Sequence, residues 1–330
     1  MKWIAQFLTL TAICTLSVSG CSNTSSSNNE PYQTGLFVNN AIVVEGKTRT
    51  YDYYVPSGLS SSRRPLVFLL HGGGSKPDDL TGESGFISPY LVWMDIADRE
   101  KFILVYPEGS INPRGELGWN DCRADTTNNP SLNDVDFIDA LIDKMSHSFT
   151  IDSNRIYASG TSNGGHMVIR LALELSNKIA AIASVAAAMP GVACNSPSRP
   201  ISVLFMNGTS DPLLPFEGGE VAPNIGGRGT VLSADESVNI WVRFNQTDST
   251  SAITNFPDID TEDSSTVHKA TYSNGIEGTQ VALYEITGGG HVEPSIREQY
   301  SSILELSLGK QNHDIEMADE IWKFFKDKTL

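Results

Sequence analysis

A short serine motif near the middle of the chain constrains the fold more than any other feature. Residues 160–164 have the sequence Gly-Thr-Ser-Asn-Gly, follow a short strand-like stretch at residues 155–159 and precede a helical pattern at residues 166–175. A strand, a Gly-x-Ser-x-Gly turn and a helix in this order predict a nucleophile elbow, with Ser162 in a strained backbone conformation. The hydroxyl of Ser162 would then stand clear of the backbone and attack a carbonyl. The pentapeptide alone is weak evidence, because small-residue turns with a serine are common.

A glycine tract follows the preceding core strand. The apolar run at residues 65–70 predicts a buried parallel strand, and it leads into His-Gly-Gly-Gly at residues 71–74. Glycines leave backbone N–H groups unshielded, so an N–H of Gly72 or Gly73 is predicted to hold a developing oxyanion together with the N–H of Asn163. A flexible surface loop is the alternative, but the tract follows the strand directly.

Two later strands end in loops that carry the expected partners of such a serine. The buried run at residues 201–206 turns into a segment with Asp211, and the run at residues 281–286 leads into glycines and His291. The chain order Ser162, Asp211, His291 is the order of α/β-hydrolases, which gather these groups past the ends of their strands. We therefore predict Asp211 as the acid and His291 as the base of a triad.

The other histidines suit the base role less well. They lie in predicted helices, in a Ser/Thr-rich stretch, before the last helix, or ahead of the serine: His147, His166, His268, His313 and His71. We expect His71 to orient the glycine tract and to border the substrate pocket.

The remaining pattern predicts an α/β fold, with a mostly parallel central sheet flanked by helices on both faces. Strand-like runs at residues 102–106 and 179–186 alternate with helices whose apolar residues recur at helical spacing. Zinc-ligand spacing, a dinucleotide fingerprint and a phosphate-binding loop are absent from the sequence, so we expect no cofactor and no metal. A carboxylate run, Asp258, Asp260, Glu262 and Asp263, is typical of a solvated loop, with calcium binding as the alternative.

Several motifs together resemble the extracellular polyhydroxybutyrate depolymerase-like esterases, a family that includes feruloyl and acetylxylan esterases. The matching segments are residues 54–56, 70–74, 105–109, 118–121, 134–137, 151–165, 207–211 and 288–291. The similarity begins at Val38 and spans nearly the whole mature chain. It implies an α/β-hydrolase fold and carboxylic ester hydrolysis, with Ser162, Asp211 and His291 at the triad positions.

The chain departs from this family at two points. Family members commonly carry tryptophan and glycine soon after the catalytic histidine, whereas His291 is followed here by Val292 and Glu293. We expect this carboxylate near the mouth of the site to alter which acyl or alcohol group is accepted. Many relatives also have a cysteine after the helix that contains Trp241, and this chain has none there.

The aromatic content suggests a substrate. Segments expected to border the pocket carry Trp93, Tyr106, Trp119 and Phe216, on which an aromatic acyl group such as ferulate could stack; core packing is the alternative. No Thr-rich linker or appended binding module follows, which favours soluble short-chain or hydroxycinnamoyl esters over a polyhydroxyalkanoate-type polyester or acetylxylan. A serine peptidase and a non-catalytic surface lipoprotein on a hydrolase scaffold are the rival classes.

The first residues predict export. An apolar segment at residues 3–18 follows Lys2 and is too short to span a bilayer, and residues 18–21 resemble a bacterial lipobox. We predict a lipoprotein signal peptide at residues 1–20, a lipidated Cys21 with a flexible tether at residues 21–35, and one catalytic domain at residues 36–330. The protein would then sit at the outer membrane or cell surface; secretion with Cys21 unmodified is the alternative.

Cysteines and charge complete the sequence evidence. Of the four cysteines, Cys14 leaves with the signal peptide and Cys21 carries the lipid, so Cys122 and Cys194 remain and are expected to form a disulfide in an oxidising compartment. Two unrelated thiols are the alternative. A formal net charge of −16 excludes nucleic acid as a partner, because a phosphate backbone requires a basic face. We expect a monomer that binds a small or oligomeric ester.

Overall fold

A computed structural model describes residues 32–121, 123–192 and 195–330. Its strands are β1 (Gly35–Val44), β2 (Lys47–Val55), β3 (Arg64–Leu70), β4 (Ile103–Pro107), β5 (Ser110–Ile111), β6 (Leu117–Gly118), β7 (Ile151–Thr161), β8 (Ala181–Val185), β9 (Ser202–Gly208), β10 (Gly219–Glu220), β11 (Thr230–Val231), β12 (Ala252–Asn255), β13 (Thr266–Tyr272) and β14 (Val281–Thr287). Its α-helices are α1 (Pro77–Thr81), α2 (Val92–Glu100), α3 (Asp134–Ser148), α4 (Asn163–Glu174), α5 (Ala234–Asn245), α6 (Ser302–Leu308) and α7 (Met317–Phe325). Two single 3₁₀ turns lie at Pro89–Leu91 and Ile276–Gly278.

One ten-stranded sheet organises the chain, in the order β1-β2-β4-β3-β7-β8-β9-β14-β13-β12. The six central strands, β4 to β14 in this order, run parallel, and the strands outside them pair antiparallel at both edges. Short antiparallel ribbons, β5 with β6 and β10 with β11, lie outside the sheet. The fold predicted from the sequence, a mostly parallel sheet between helices, is confirmed.

Side chains of β3 divide between two cores because successive residues of a strand point to opposite faces. Leu66, Phe68 and Leu70 join the core that packs on α3, α4 and α5. Val67 and Leu69 join the core that packs on α2 and α7. Every residue of β3 is buried, as expected for a strand covered on both faces.

The helices begin where their sequences provide caps. The side chain of Asn133 accepts a hydrogen bond from the N–H of Val135 at the start of α3. Ser233 and Glu236 form a reciprocal capping box at the start of α5. These caps fix where each helix leaves the preceding loop and packs on the sheet.

The described residues include the last part of the predicted tether, from Tyr32 to Gly35. Tyr32 packs on Phe149 with 5.3 Å between ring centroids, and its hydroxyl bonds that of Thr150 at 3.0 Å. The predicted signal peptide, Cys21 and both cysteines of the predicted disulfide lie outside the described residues. In the part of the chain that is described, no helix has the length and apolar character needed to cross a bilayer.

A buried ion pair ties β2 to α3. Nη2 of Arg49 lies 2.6 Å from Oδ1 of Asp134, and the guanidinium stacks 4.0 Å above the ring of Phe137. Oδ2 of Asp134 accepts a hydrogen bond from the N–H of Asn120. Burial raises the pKa of Asp134, and the charge of Arg49 opposes that shift. Removing one partner would therefore leave a buried charge without compensation.

We expect Arg49→Met to lower the free energy of unfolding by about 3–5 kcal/mol, because Asp134 would lose its counter-charge. The double variant Arg49→Met/Asp134→Asn removes that charge but keeps an acceptor for Asn120, so it should recover much of the loss. Urea unfolding of both variants and the parent measures the difference. A single variant as stable as the parent would contradict this account of the pair.

Candidate active site

Ser162 occupies the elbow that the sequence predicts. It lies between the end of β7 and the first residue of α4, with φ 56° and ψ −121°. This positive φ is strained for a residue with a side chain. A Cβ on Gly164 would lie 2.3 Å from the carbonyl oxygen of Leu70, and one on Gly160 would lie 2.6 Å from the backbone of Gly164. The turn is so tight that only glycine fits two residues before and two residues after the serine.

The structure brings Ser162, His291 and Asp211 into one hydrogen-bonded chain. Nε2 of His291 lies 2.8 Å from Oγ of Ser162, and Nδ1 lies 2.7 Å from Oδ2 of Asp211. Because the carboxylate only accepts, Nδ1 carries the proton and Nε2 is free to accept from the serine hydroxyl. Oδ1 of Asp211 accepts two further bonds at 2.7 Å, from the N–H groups of Leu213 and Leu214.

Strand ends and close backbone contacts hold the imidazole and carboxylate in place. Asp211 follows β9 and His291 follows β14, which are parallel neighbours in the sheet. A Cβ on Gly208 would lie 2.2 Å from the carbonyl oxygen of Gly289, so the two loops touch through backbone. The N–H of His291 donates to the carbonyl of Leu308 at 2.6 Å, and this anchors the loop to the end of α6.

The glycine tract lies beside the serine. A Cβ on Gly72 would stand 3.7 Å from Cβ of Ser162, and a Cβ on Gly73 would stand 3.6 Å from Cβ of Asn163. Both glycines line the same cavity as Ser162 and His291. The N–H groups of Gly72 and Asn163 have no hydrogen-bond partner among the residues described. The backbone amides predicted for the oxyanion are thus next to the serine.

Hydrogen bonds of His71 and Trp119 hold the glycine tract in place. Nδ1 of His71 donates to the carbonyl of Gly72 at 2.7 Å, and Nε2 accepts from the N–H of Gly109 at 2.9 Å. Nε1 of Trp119 donates to the carbonyl of His71 at 2.8 Å. The backbone N–H of Trp119 donates to the side-chain oxygen of Asn163 at 2.6 Å. One network therefore joins the glycine tract to the first residue of α4.

The pocket predicted from the aromatic residues needs correction. His71 and Trp119 are fully buried and line none of the cavity, because their rings pack under the glycine tract. Trp93 and Tyr106 are also fully buried, in the core against α2 and α7. Phe216 is half-buried against the other core and does not line the cavity. Proximity in sequence to a motif did not determine the direction of these side chains.

The cavity that holds Ser162 has a volume of about 300 Å³ and mostly apolar walls. Glu293, which we expect near the mouth of the site, is among the residues that line this cavity. Its other walls come from segments with no local signal in the sequence: the region between α1 and α2, the loops before and after β10, and the segment that ends in the short helix α6. The residues missed by the sequence include Leu80, Tyr90, Leu213, Ile225, Tyr300 and Leu304.

The carboxylate run at residues 258–263 is partly buried. Asp263 is only 4% exposed, accepts from the N–H and hydroxyl of Ser265 and accepts from the N–H of His313. Nδ1 of His313 donates to Asp260 at 2.9 Å, and this bond lowers the pKa of the Asp260 carboxyl. The expectation of a solvated loop therefore fails for Asp263, which braces the segment before α7.

The architecture places the chain in a known class. The solved acetyl xylan esterase from Aspergillus awamori matches this structure with a TM-score of 0.50 at 15% identity, over 84% of this chain and 94% of that chain. Similarity at this level of identity shows the fold alone. The sheet, its flanking helices and the elbow together define an α/β-hydrolase.

Sequence comparison then identifies the family. A sequence model of the family described as Esterase PHB depolymerase matches residues 49–249. NocK of Nocardia uniformis subsp. tsuyamanensis, named as an esterase, is 32% identical over 288 residues, which cover 84% of this chain and 79% of that protein. Feruloyl esterase D of Neurospora crassa is 28% identical over 210 residues, 57% of this chain and 68% of that protein. The chain belongs to the PHB depolymerase esterase family and is a carboxylic ester hydrolase, as its motifs predicted.

We expect stability to fall in acid because two histidines near the site are buried. Burial lowers the pKa of His71 to about 4, and burial followed by the charge of Arg123 lowers that of His166 to about 3. Both values lie below the unfolded value of about 6.5, so the unfolded chain takes up protons first. The contribution of each buried, neutral histidine to the free energy of unfolding is fully present above about pH 6.5. It is lost as pH falls towards 4 and amounts to on the order of 2–3 kcal/mol per histidine.

Unfolding free energies at pH 7 and pH 4.5 measure this loss. His71→Gln should make the fall smaller, since the titrating group is removed. His147→Asn is the matched control, because His147 is exposed on α3. Equal pH dependence in the parent and His71→Gln would show that His71 is not the group that titrates.

Proposed function

We propose that the protein cleaves carboxylic esters through an acyl-enzyme formed on Ser162. His291 takes the proton of the serine hydroxyl as Oγ attacks the ester carbonyl, and Asp211 holds the imidazole in the required tautomer. The protonated His291 then donates to the leaving alcohol. Water attacks the acyl-enzyme by the same route and releases the acid.

The single observation that carries this proposal is the unbroken chain of hydrogen bonds from Asp211 through His291 to Ser162, at 2.7 and 2.8 Å. The strained φ of Ser162 adds to it, since such strain persists only where the surroundings impose it. The N–H groups of Gly72 or Gly73 and of Asn163 would hold the oxyanion, and each such donor is worth roughly 100-fold to 1000-fold in rate.

For the substrate we propose soluble short-chain or hydroxycinnamoyl esters. The cavity beside Ser162 has about 300 Å³ and lies at the lower end of the range typical of small-molecule sites, roughly 300–1,000 Å³. Its apolar walls suit an acyl group. Relatives named as feruloyl esterases support the hydroxycinnamoyl class, although the aromatic stacking residues first predicted are buried elsewhere.

A polyester is the second candidate, and one observation favours it. The short helix α6 turns Leu304 and Leu308 into the cavity while Ile303 and Leu306 remain 77% and 88% exposed. Phe86 at the cavity wall is also exposed. An apolar rim of this kind suits contact with a solid apolar surface.

The predictions for the N-terminal segment and for the cysteines remain proposals. We propose export as a lipoprotein anchored through Cys21 after removal of residues 1–20, and a disulfide between Cys122 and Cys194. Secretion without the lipid is the alternative. A monomer without metal or cofactor is the form expected to act on the ester.

We expect Ser162→Ala to lose roughly a million-fold in turnover of a nitrophenyl ester, because the nucleophile is removed. Labelling of the folded parent by a fluorophosphonate, located at Ser162 by peptide mass spectrometry, is the companion measurement. Glu262→Gln, on an exposed loop, serves as the matched control and should keep full activity. An unlabelled but folded parent would favour the non-catalytic scaffold, and full activity in Ser162→Ala would end the proposal.

We expect methyl ferulate or short nitrophenyl esters to react faster than xylan acetate or a polyhydroxybutyrate suspension. The double variant Ile303→Ser/Leu306→Ser tests the second candidate, because these side chains lie outside the cavity. If the rim binds polymer, the variant should clear the suspension more slowly with unchanged rates on soluble esters. Fastest clearing of the suspension by the parent would reverse our order of substrates.

A further inference from the structure

The cavity beside Ser162 contains a carboxylate with unused acceptor capacity. Glu293 lines this cavity two residues after His291 and is only 7% exposed. Its Oε2 accepts a hydrogen bond of 2.6 Å from the hydroxyl of Tyr300. Its Oε1 has no hydrogen-bond partner among the residues described and is not sealed from solvent. The free oxygen of this carboxylate is therefore available to a molecule bound in the cavity.

Buried contacts hold Glu293 and Tyr300 in this arrangement. Gln311 is fully buried; its Nε2 donates to the carbonyl of Glu293 at 2.8 Å, and its Oε1 accepts from the N–H of Tyr300 at 2.7 Å. Burial, followed by the negative charge of Glu293, raises the pKa of Tyr300 well above its usual value, so its hydroxyl remains a donor. A pair fixed by one buried amide is preorganised for recognition.

The surroundings decide what this carboxylate recognises. Aliphatic side chains form a large part of the cavity wall, among them Leu80, Leu213, Val221, Ile225, Leu304 and Leu308. Asp79 and Arg228 also line the wall. Oδ2 of Asp79 accepts from the hydroxyl of Ser75 and from the backbone N–H of Lys76. Arg228 lies 3.6 Å from Glu116, and its buried Nε has no hydrogen-bond partner among the described residues. An acyl group without a donor would cover the free oxygen of Glu293 and leave it unpaired, which is costly for a buried acceptor.

We propose that Glu293 is a specificity-determining residue that accepts a hydrogen bond from a hydroxyl or ammonium group of the bound ester. Tyr300 is the positioning residue that orients it. The inference rests on the proposed function, because it takes Ser162 as the nucleophile in the same cavity.

Matched pairs of esters test the assignment. Methyl 3-hydroxybutyrate is compared with methyl butyrate, and methyl 4-hydroxycinnamate with methyl cinnamate, so that each pair differs by one hydroxyl. Methyl 3-aminobutyrate is the cationic probe and is also compared with methyl butyrate. We expect kcat/KM of the parent to be at least roughly 10-fold higher for one donor-bearing ester than for its plain partner, because a site built around a polar group rejects the analogue that lacks its partner.

Variants separate the role of Glu293 from a merely structural one. Glu293→Met should bring the ratio of the two kcat/KM values within each pair close to one, and Tyr300→Phe should lower this ratio. Two variants keep the test usable if one of them does not fold. Glu293→Gln retains a neutral acceptor, so it should keep a preference for a hydroxyl and lose one for an ammonium group. Glu262→Met on the exposed carboxylate-rich loop is the matched control and should leave every ratio unchanged.

Two results would overturn the assignment. One is equal kcat/KM within every pair for the parent, and the other is a preference that persists in both Glu293→Met and Tyr300→Phe. In either case, loss of methyl butyrate cleavage in Ser162→Ala would leave the proposed function standing. Methyl butyrate cleavage that survives in Ser162→Ala would overturn the proposed function instead.

Discussion

The first turn of α4 packs against the end of β3 so closely that a Cβ on Gly164 would lie 2.3 Å from the carbonyl oxygen of Leu70 and 2.5 Å from that of His71. The rest of the site depends on this contact. It brings the glycine tract beside Ser162 and the N–H of Asn163. Because α4 and the end of β3 are in such close contact, the turn between β7 and α4 keeps Ser162 at a positive φ. A side chain at position 164 would separate the nucleophile from the amides that face it.

Around this contact, the polar groups belong to segments distant in the chain but adjacent at one edge of the sheet. The loops after β3, β7, β9 and β14 meet because the central strands are parallel and their carboxyl ends lie together. Trp119 joins two of these loops by donating to the carbonyl of His71 and to the side chain of Asn163. Because these groups are buried, each needs its partner, and the geometry of the site is fixed by hydrogen bonds rather than by loop rigidity alone.

The segment after His291 supplies part of the apolar wall of the cavity and the carboxylate of Glu293. The short helix α6 presents leucines inward and other aliphatic side chains to solvent, while the loop before it carries Glu293 and Tyr300. The ester-cleaving groups follow the family pattern, whereas this segment departs from it. The segment proposed to select the substrate is therefore distinct from the residues proposed to cleave the ester.

The sequence alone determined the elements whose signals are local. Apolar runs specified the buried strands, and the glycines on both sides of Ser162 specified the elbow because no other residue fits a turn so close to β3. The expectation that Ser162, Asp211 and His291 meet then followed from their positions past the ends of predicted parallel strands. Only the tertiary structure decided the pocket. Trp119 belongs to a motif beside the site, yet it points under the glycine tract, and Tyr300 reaches the cavity from a loop without any motif. The direction of a side chain and the meeting of distant loops depend on packing of the whole sheet, which no local pattern encodes.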